Sequence, residues 1–196
     1  VQGHYSENYQ PLGRLNITYL GRSASVKNYE RVLDISQAIA KTTYEVGEKP
    51  FECDYFASAP DSVIVLRIRS EEEGGIKAIL SFDSQLPHSV QAGGNEISAE
   101  GYAAYHSYPS YYNEVGNKHL YDPDRGVHFR TLIRVSVSDG SVKSYASGEL
   151  KLDGVHEALI LVANVTSFNG FDKDPVREGR DYRKKVERRM EQASKK

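Results

Sequence analysis

The sequence predicts an all-β protein, an antiparallel two-sheet β-sandwich followed by one C-terminal linker helix, and three observations predict it. Apolar and polar residues alternate from Arg14 to Phe168, turn-forming pairs interrupt that alternation at short intervals, and an apolar period of four residues appears only after Asp174. Of 196 residues, 39% are hydrophobic and 27% charged, a composition that can bury a core of its own. One sandwich domain over residues 1–173 and a helical segment over residues 174–196 account for the pattern.

Taken in order, Leu15, Ile17 and Tyr19 alternate with Asn16 and Thr18 in the first strand. Residues 62–68 and 158–165 are apolar on both faces over part of their length, as strands at the centre of a two-sheet packing should be. Phe129, Thr131, Ile133, Val135 and Val137 alternate with His128, Arg130, Arg134 and Ser136. Gly47-Glu48, between residues 42–46 and 51–57, reads as a hairpin turn. Asp139-Gly140, between residues 127–138 and 141–146, reads as a two-residue hairpin, because Asp-Gly suits the positive φ angles of such turns, and Asp153-Gly154 reads the same way. At the far end Asp174 is placed to cap a helix that opens on Pro175 and carries Tyr182, Val186 and Met190 on one stripe. That stripe is narrow, so the helix is expected to pack against structure outside these residues or to continue past Lys196.

Charge and composition exclude several functions. The formal net charge is −2, which argues against a nucleic-acid protein. It hides an asymmetry: residues 177–196 carry nine Lys or Arg against four Asp or Glu, a balance of +5, which leaves −7 for residues 1–176. A basic arm for nucleic acid is one reading of that end, with steeply salt-dependent binding as its signature. Interleaving with Glu178, Asp181, Glu187 and Glu191 favours a solvated helix instead. No stretch approaches the ~18 consecutive apolar residues of a membrane span, and residues 1–9 lack a signal peptide's basic start and apolar run. The lone Cys53, between Glu52 and Asp54, cannot form an internal disulfide and reads as a small buried strand residue.

Chemistry-bearing motifs are scarce. The sequence contains no glycine-rich phosphate loop, no G-x-S-x-G elbow and no histidine pair at helical spacing. Its six histidines are scattered, so neither a metal nor a cofactor is expected. Twenty-seven acids offer no spacing that singles out the carboxylate pair a glycosidase needs. Only residues 101–125, GYAAYHSYPSYYNEVGNKHLYDPDR, break the strand pattern at length. Loops of that length in compact domains are usually functional, and tyrosines combine flat apolar faces with hydroxyl donors. His106, Tyr108, Tyr111 and Tyr112 are therefore the candidates for a sugar-pocket rim or a domain interface; the alternative is that they cover the sandwich edge.

Several runs carry a family resemblance. Tyr9-Gln10-Pro11-Leu12-Gly13, Tyr29-Glu30-Arg31-Val32-Leu33-Asp34-Ile35 with Ala38, and Phe56-Ala57-Ser58-Ala59-Pro60-Asp61 before Val63-Ile64-Val65-Leu66-Arg67 occur in that order. Gly126-Val127-His128-Phe129-Arg130 and Thr166-Ser167-Phe168-Asn169-Gly170-Phe171-Asp172-Lys173-Asp174-Pro175 follow. Together they resemble the N-terminal domain of glycoside hydrolase family 95 over nearly the whole chain. The resemblance implies a bacterial enzyme whose sandwich is joined by helices to a catalytic α/α barrel, the expected partner, which removes terminal α-L-fucose, or in some members α-L-galactose, from oligosaccharides by inversion. It implies that the catalytic residues belong to that barrel, that the helix after Asp174 starts the linker towards it, and that the parent is periplasmic or secreted. It also implies a further segment before the Tyr9-Gln10-Pro11 run, so that one or two strands of the full sandwich are unpaired or replaced here. A stand-alone carbohydrate-binding module is the rival reading, told apart by whether the tyrosine-rich loop presents exposed rings on a free surface.

Overall fold

A computed structural model describes residues 8–21, 25–113 and 115–196. Fourteen strands and one helix follow one another: β1 Arg14–Tyr19, β2 Val26–Asp34, β3 Ile39–Val46, β4 Lys49–Ser58, β5 Val63–Ser70, β6 Ile76–Asp83, β7 His88–Gly93, β8 Glu96–Tyr102, β9 His106–Ser107, β10 His119–Leu120, β11 His128–Val137, β12 Ser141–Ser144, β13 Leu150–Val155, β14 Glu157–Thr166 and α1 Tyr182–Ala193. Eight strands form one sheet in the order β2-β3-β4-β5-β14-β11-β8-β7, and four form the facing sheet in the order β1-β6-β13-β12. β9 and β10 make a separate ribbon. Every described pairing is antiparallel, as the expected sandwich requires.

Alternation sorts the residues between core and surface. Ile76, Ala78, Leu80 and Phe82 of β6, with Leu150, Leu152 and Val155 of β13, meet Ile68, Ile97, Ile133, Val135, Ala158 and Ile160 of the large sheet in the main core. Cys53 joins this core; burial pushes its thiol pKa up, which fits a packing residue.

Two of the three expected hairpins do not form, because the chain changes sheets at the first and just after the second. β11 belongs to the large sheet and β12 to the small one, so Asp139-Gly140 carries the chain from one to the other. Gly140 has φ of +68°, the conformation that made Asp-Gly read as a turn, and a Cβ there would lie 2.5 Å from the Gly154 carbonyl oxygen. Asp153-Gly154 lies inside β13 at an irregularity in its pairing with β6, and the return crossing passes through His156. The Asp139 carboxylate ties the two crossings together by accepting the His156 N–H at 2.8 Å, with the His156 Nδ1 2.6 Å away. In both cases the glycine takes a positive φ and the aspartate does not, so the expected two-residue turn is only half formed, and which strand lies alongside is decided by distant core contacts. Only Gly47-Glu48 closes a hairpin of the expected kind, with Val46 opposite Lys49.

The helix starts seven residues later than the sequence predicts. Asp174 does cap, accepting from the Val176 and Arg177 amides at 2.8 Å each, but the turn it caps stops at Gly179. There the chain passes so close to the Pro175 carbonyl oxygen that a Cβ would lie 2.1 Å from it. Asp181 then caps α1 by accepting from the Lys184 amide. The apolar stripe needs no outside partner: Val186 and Met190 are fully buried against Val63, Val65, Leu132, Leu161, Ala163 and Val165 on the outer face of the large sheet. Ion pairs flank that seam, with Arg183 to Glu100 at 2.7 Å, Glu187 to Arg130 at 2.6 Å and Glu191 to Arg134 at 3.5 Å. The basic C-terminal end thus lies on the sandwich as a packed element. No helix among the described residues is long and apolar enough to cross a membrane.

Candidate functional site

The tyrosine-rich segment is partly ordered by its own ribbon. His106 pairs with Leu120 and Ser107 with His119, and the buried Ser107 hydroxyl lies 2.7 Å from the His119 Nδ1. The Tyr105 amide donates to the Leu120 carbonyl and the Tyr108 amide to the Lys118 carbonyl, closing both ends of the ribbon. Arg125 lies over the Tyr105 ring at 3.7 Å, a cation–π contact that pins the base of the loop. His128 supports the same base, its Nε2 lying 2.7 Å from the Pro123 carbonyl oxygen and its ring packing between Tyr102 and Tyr182. Asn8 donates to the Tyr108 carbonyl and Gln10 accepts from the Ala104 amide, so the Tyr9-Gln10-Pro11 run braces the loop from the other side.

Three of the four candidates come together. His106 meets the Tyr108 ring edge-on at 4.3 Å, and Tyr108 stacks on Tyr112 at 5.3 Å with only 8° between the planes. Their apolar faces are largely spent on one another. Tyr111 is different: it stays 75% exposed and projects from the cluster. The loop therefore offers one projecting ring on a packed aromatic base, rather than a row of free rings.

Strand register gathers further segments at the same end of the sandwich. Ala40 lies opposite Tyr55, Ser58 opposite Val63, Val63 opposite Ala163, Phe129 opposite Thr166 and Gly101, and Gly101 opposite His88. The turns at residues 35–38 and 59–62, the tyrosine-rich loop and the exit segment after Thr166 thus share one end. Phe171 in that exit segment is 92% exposed and Phe168 is half exposed. Nothing in the sequence pattern marks these two as contact residues. An exposed phenylalanine has the same pattern signature as a buried one, and only the missing neighbours distinguish it.

An apolar cleft of about 580 Å³ opens beside this end, between the start of β1 and the ends of β4, β5 and β14, lined by Leu15, Ala57, Ile64, Leu66, Phe82 and Val162. The large sheet continues past β1, which is the last described strand of the small sheet on that side. Leu33, Tyr55 and Ile64 on the overhanging inner face remain 67%, 37% and 51% exposed.

Acids on the outer face of the large sheet are engaged by cations. Lys41 holds Glu52 at 3.0 Å, Arg69 holds it from the other side, and Arg67 holds Glu157 at 2.8 Å, forming a charge ladder on the outer face of the large sheet. The Lys41 hydrogen bond lowers the Glu52 pKa, and the Arg67 hydrogen bond lowers that of Glu157. Among the described residues every Asp or Glu with a resolved displacement moves downward. A glycosidase general acid requires the opposite displacement. No group of three or more His, Cys, Asp or Glu comes together among the described residues in a way that could hold a metal ion.

A family model described as glycosyl hydrolase family 65, N-terminal domain, matches residues 1–170; its number differs from the family 95 that the motifs suggest. Alpha-L-fucosidase 2 of Arabidopsis thaliana is 31% identical over 177 residues, which cover 87% of this chain and 21% of that protein. "Probable alpha-fucosidase A" of Aspergillus niger is 31% identical over 100 residues, 50% of this chain and 12% of that protein. The chain thus spans about a fifth or less of the length of these curated relatives. A solved structure titled "Putative kojibiose phosphorylase from human microbiome" superimposes with a TM-score of 0.55 at 16% identity, over 92% of this chain and 22% of that one. At that identity the likeness concerns the fold alone.

Proposed function

Because this chain belongs to the N-terminal domain family of glycosyl hydrolase family 65, we propose that it is the non-catalytic sandwich module of a larger glycoside hydrolase. The parent, on this reading, is a bacterial family 95-like enzyme that removes terminal α-L-fucose from oligosaccharides by inversion. The observation that carries the proposal is the match over residues 1–170, joined to two fucosidases of which the chain covers 21% and 12%. The fucosidase relatives support the substrate, whereas family, source and stereochemistry rest on the motifs quoted above.

The geometry fits a supporting role. Glu52 and Glu157 on the large sheet are held by cations that lower their pKa values, the opposite of what protonating a leaving group needs. Exposed aromatic and apolar side chains collect at one end, where Tyr111 and Phe171 stand clear, as a surface that meets another domain would have them. The tyrosine-rich loop at that end faces the barrel and contributes to the pocket rim or to the interface.

The direct test is hydrolysis of an aryl α-L-fucoside and of a fucosylated lactose by the 196-residue chain and by the longer polypeptide. Fucose release is expected from the longer polypeptide only. Release by this chain alone, abolished by a single Asp or Glu substitution, would overturn the proposal.

A further inference from the structure

We propose that the cleft at the start of α1 is a carbohydrate-binding site that holds a pyranose ring of a glycan. The cleft is a property of this chain alone; the class of its ligand rests in part on the reading of the chain as a glycoside hydrolase module.

Two lobes make up the cleft. One, of about 250 Å³, includes Ser167 and Arg180, the other, of about 370 Å³, includes Ser89, Glu100 and Tyr102, and His128, Tyr182 and Arg183 line both. Strand register brings these residues together. His128 opens β11 opposite Tyr102, and Glu100 lies opposite Arg130, so period two puts all four on one face of the sheet. Ser167 follows β14 and is tied to His128 twice, its amide donating to the His128 carbonyl at 2.8 Å and its hydroxyl oxygen accepting the His128 amide at 3.0 Å.

Several polar groups of this cleft have capacity left over. Ser167 is 3% exposed, and among the described residues nothing accepts its hydroxyl proton. A buried donor without an acceptor is costly, and a ligand hydroxyl can take the place that water otherwise fills. His128 Nε2 lies 2.7 Å from the Pro123 carbonyl oxygen, which can only accept, so the neutral ring carries its proton there and presents Nδ1 as an acceptor. Arg180 gives its Nε to Asn169 at 3.2 Å, and among the described residues no carboxylate pairs with its terminal nitrogens. Arg130 and Arg183 fix Glu100 as a further acceptor at 3.2 Å and 2.7 Å.

That mixture selects the ligand. An anion would find donors in Ser167 and Arg180 but would also meet the Glu100 carboxylate and the His128 lone pair. An apolar ligand would strand all four. Each sugar hydroxyl both donates and accepts, so a pyranose ring matches donors and acceptors side by side. Its C–H face needs an apolar wall. The rings of Tyr102, His128 and Tyr182 supply one, with neighbouring centroids 5.7 Å and 6.1 Å apart and planes tilted by 35° and 39°. Arg183 lies over one face of Tyr182 at 5.3 Å and steadies that ring.

Amide chemical shifts of the 196-residue chain, followed during separate titrations with fucosylated lactose, lactose and inorganic phosphate, test the proposal. Both saccharides should produce saturable shifts at His128, Ser167 and Tyr182, with a Kd on the order of millimolar. Arg180→Ala removes an exposed side chain and should weaken binding about tenfold while leaving the Tm within about 1 °C. Ser167→Ala should weaken it about as much, and Arg180→Ala decides the matter if that variant folds poorly. Lactose binding as tight as that of fucosylated lactose supports a site for a pyranose ring as such. Absence of saturable shifts at these residues with either saccharide overturns the inference. Shifts confined to residues 107–113 and indifferent to Arg180→Ala also overturn it and assign sugar contact to the tyrosine-rich loop. Saturable binding of phosphate without saccharide binding would make this an anion site instead. Fucoside hydrolysis by the longer polypeptide is measured separately. Its failure with saccharide binding intact removes the fucosidase reading and leaves the site, whereas hydrolysis without binding here removes the site and leaves the reading.

Discussion

At the scale of single residues, neighbouring tyrosines divide into different roles. Tyr108 is stacked on Tyr112 and met by His106, whereas Tyr111 is mostly in water. Tyr108→Ala should destabilise the longer enzyme by about 1–3 kcal/mol through lost aromatic packing and leave KM nearly unchanged. Tyr111→Ala should leave the Tm within about 1 °C and raise KM several-fold if the ring positions the sugar, since a uniform binding contact acts on KM alone. Thermal melts and steady-state kinetics on the two variants separate these outcomes. All four aromatic candidates were legible as members of one loop but not their ranking, because adjacent tyrosines in a loop lack the periodicity that tells inward from outward. Asp139 gives a pH prediction. The backbone and side chain of His156 hold its carboxyl below the ordinary value, so its contribution to stability is present above the unfolded pKa of about 3.9 and is lost as pH falls through the folded value. Asp139→Ala should therefore lower the Tm at pH 7, and the gap to the unsubstituted chain should narrow progressively in melts taken at pH values below about 3.9.

At the scale of elements, the strands were more legible than their partners. β1, β11 and β14 fall within a residue or two of the alternating runs that predict them, because period two and half-burial have the same cause. Asp139-Gly140 and Asp153-Gly154 predict hairpins that the structure does not form, since a glycine's positive φ is a local property and sheet membership is not. In α1 the every-fourth-residue stripe was legible and its destination was not: three apolar side chains look too few to hold a helix until Val63, Val65, Leu132 and Leu161 are seen to form the other half of the seam. Met190 is fully buried there. Met190→Ala should cost about 2–5 kcal/mol in denaturant unfolding of the chain. Arg183→Ala, which removes an exposed ion pair with Glu100, should cost under about 1 kcal/mol. Equal effects would mean that charge, not burial, fixes the helix to the sheet.

At the scale of the whole molecule, eight strands face four, and the mismatch falls on the β2–β5 side. A sequence read one element at a time cannot show this. Leu33 and Ile64 sit in alternating strands like any core residue, and their exposure results only from what fails to lie opposite them. The imbalance sets expectations for the isolated chain. Leu33 and Ile64 are 67% and 51% exposed, so replacing both with serine removes apolar surface of which folding of this chain leaves half or more in water. Such surface substitutions usually change stability by less than about 0.5 kcal/mol. The Leu33→Ser, Ile64→Ser chain should accordingly melt within a degree or two of the parent chain and bind less of an apolar dye such as ANS. In the longer polypeptide the same pair of positions is expected to be covered. There each serine would bury a hydroxyl where an aliphatic side chain had packed, and the double variant should lose several kcal/mol. Matching melts of the four proteins decide the point. A loss of stability confined to the longer polypeptide identifies the overhang as a contact surface, whereas an equal loss in both would place Leu33 and Ile64 in the core of the module itself.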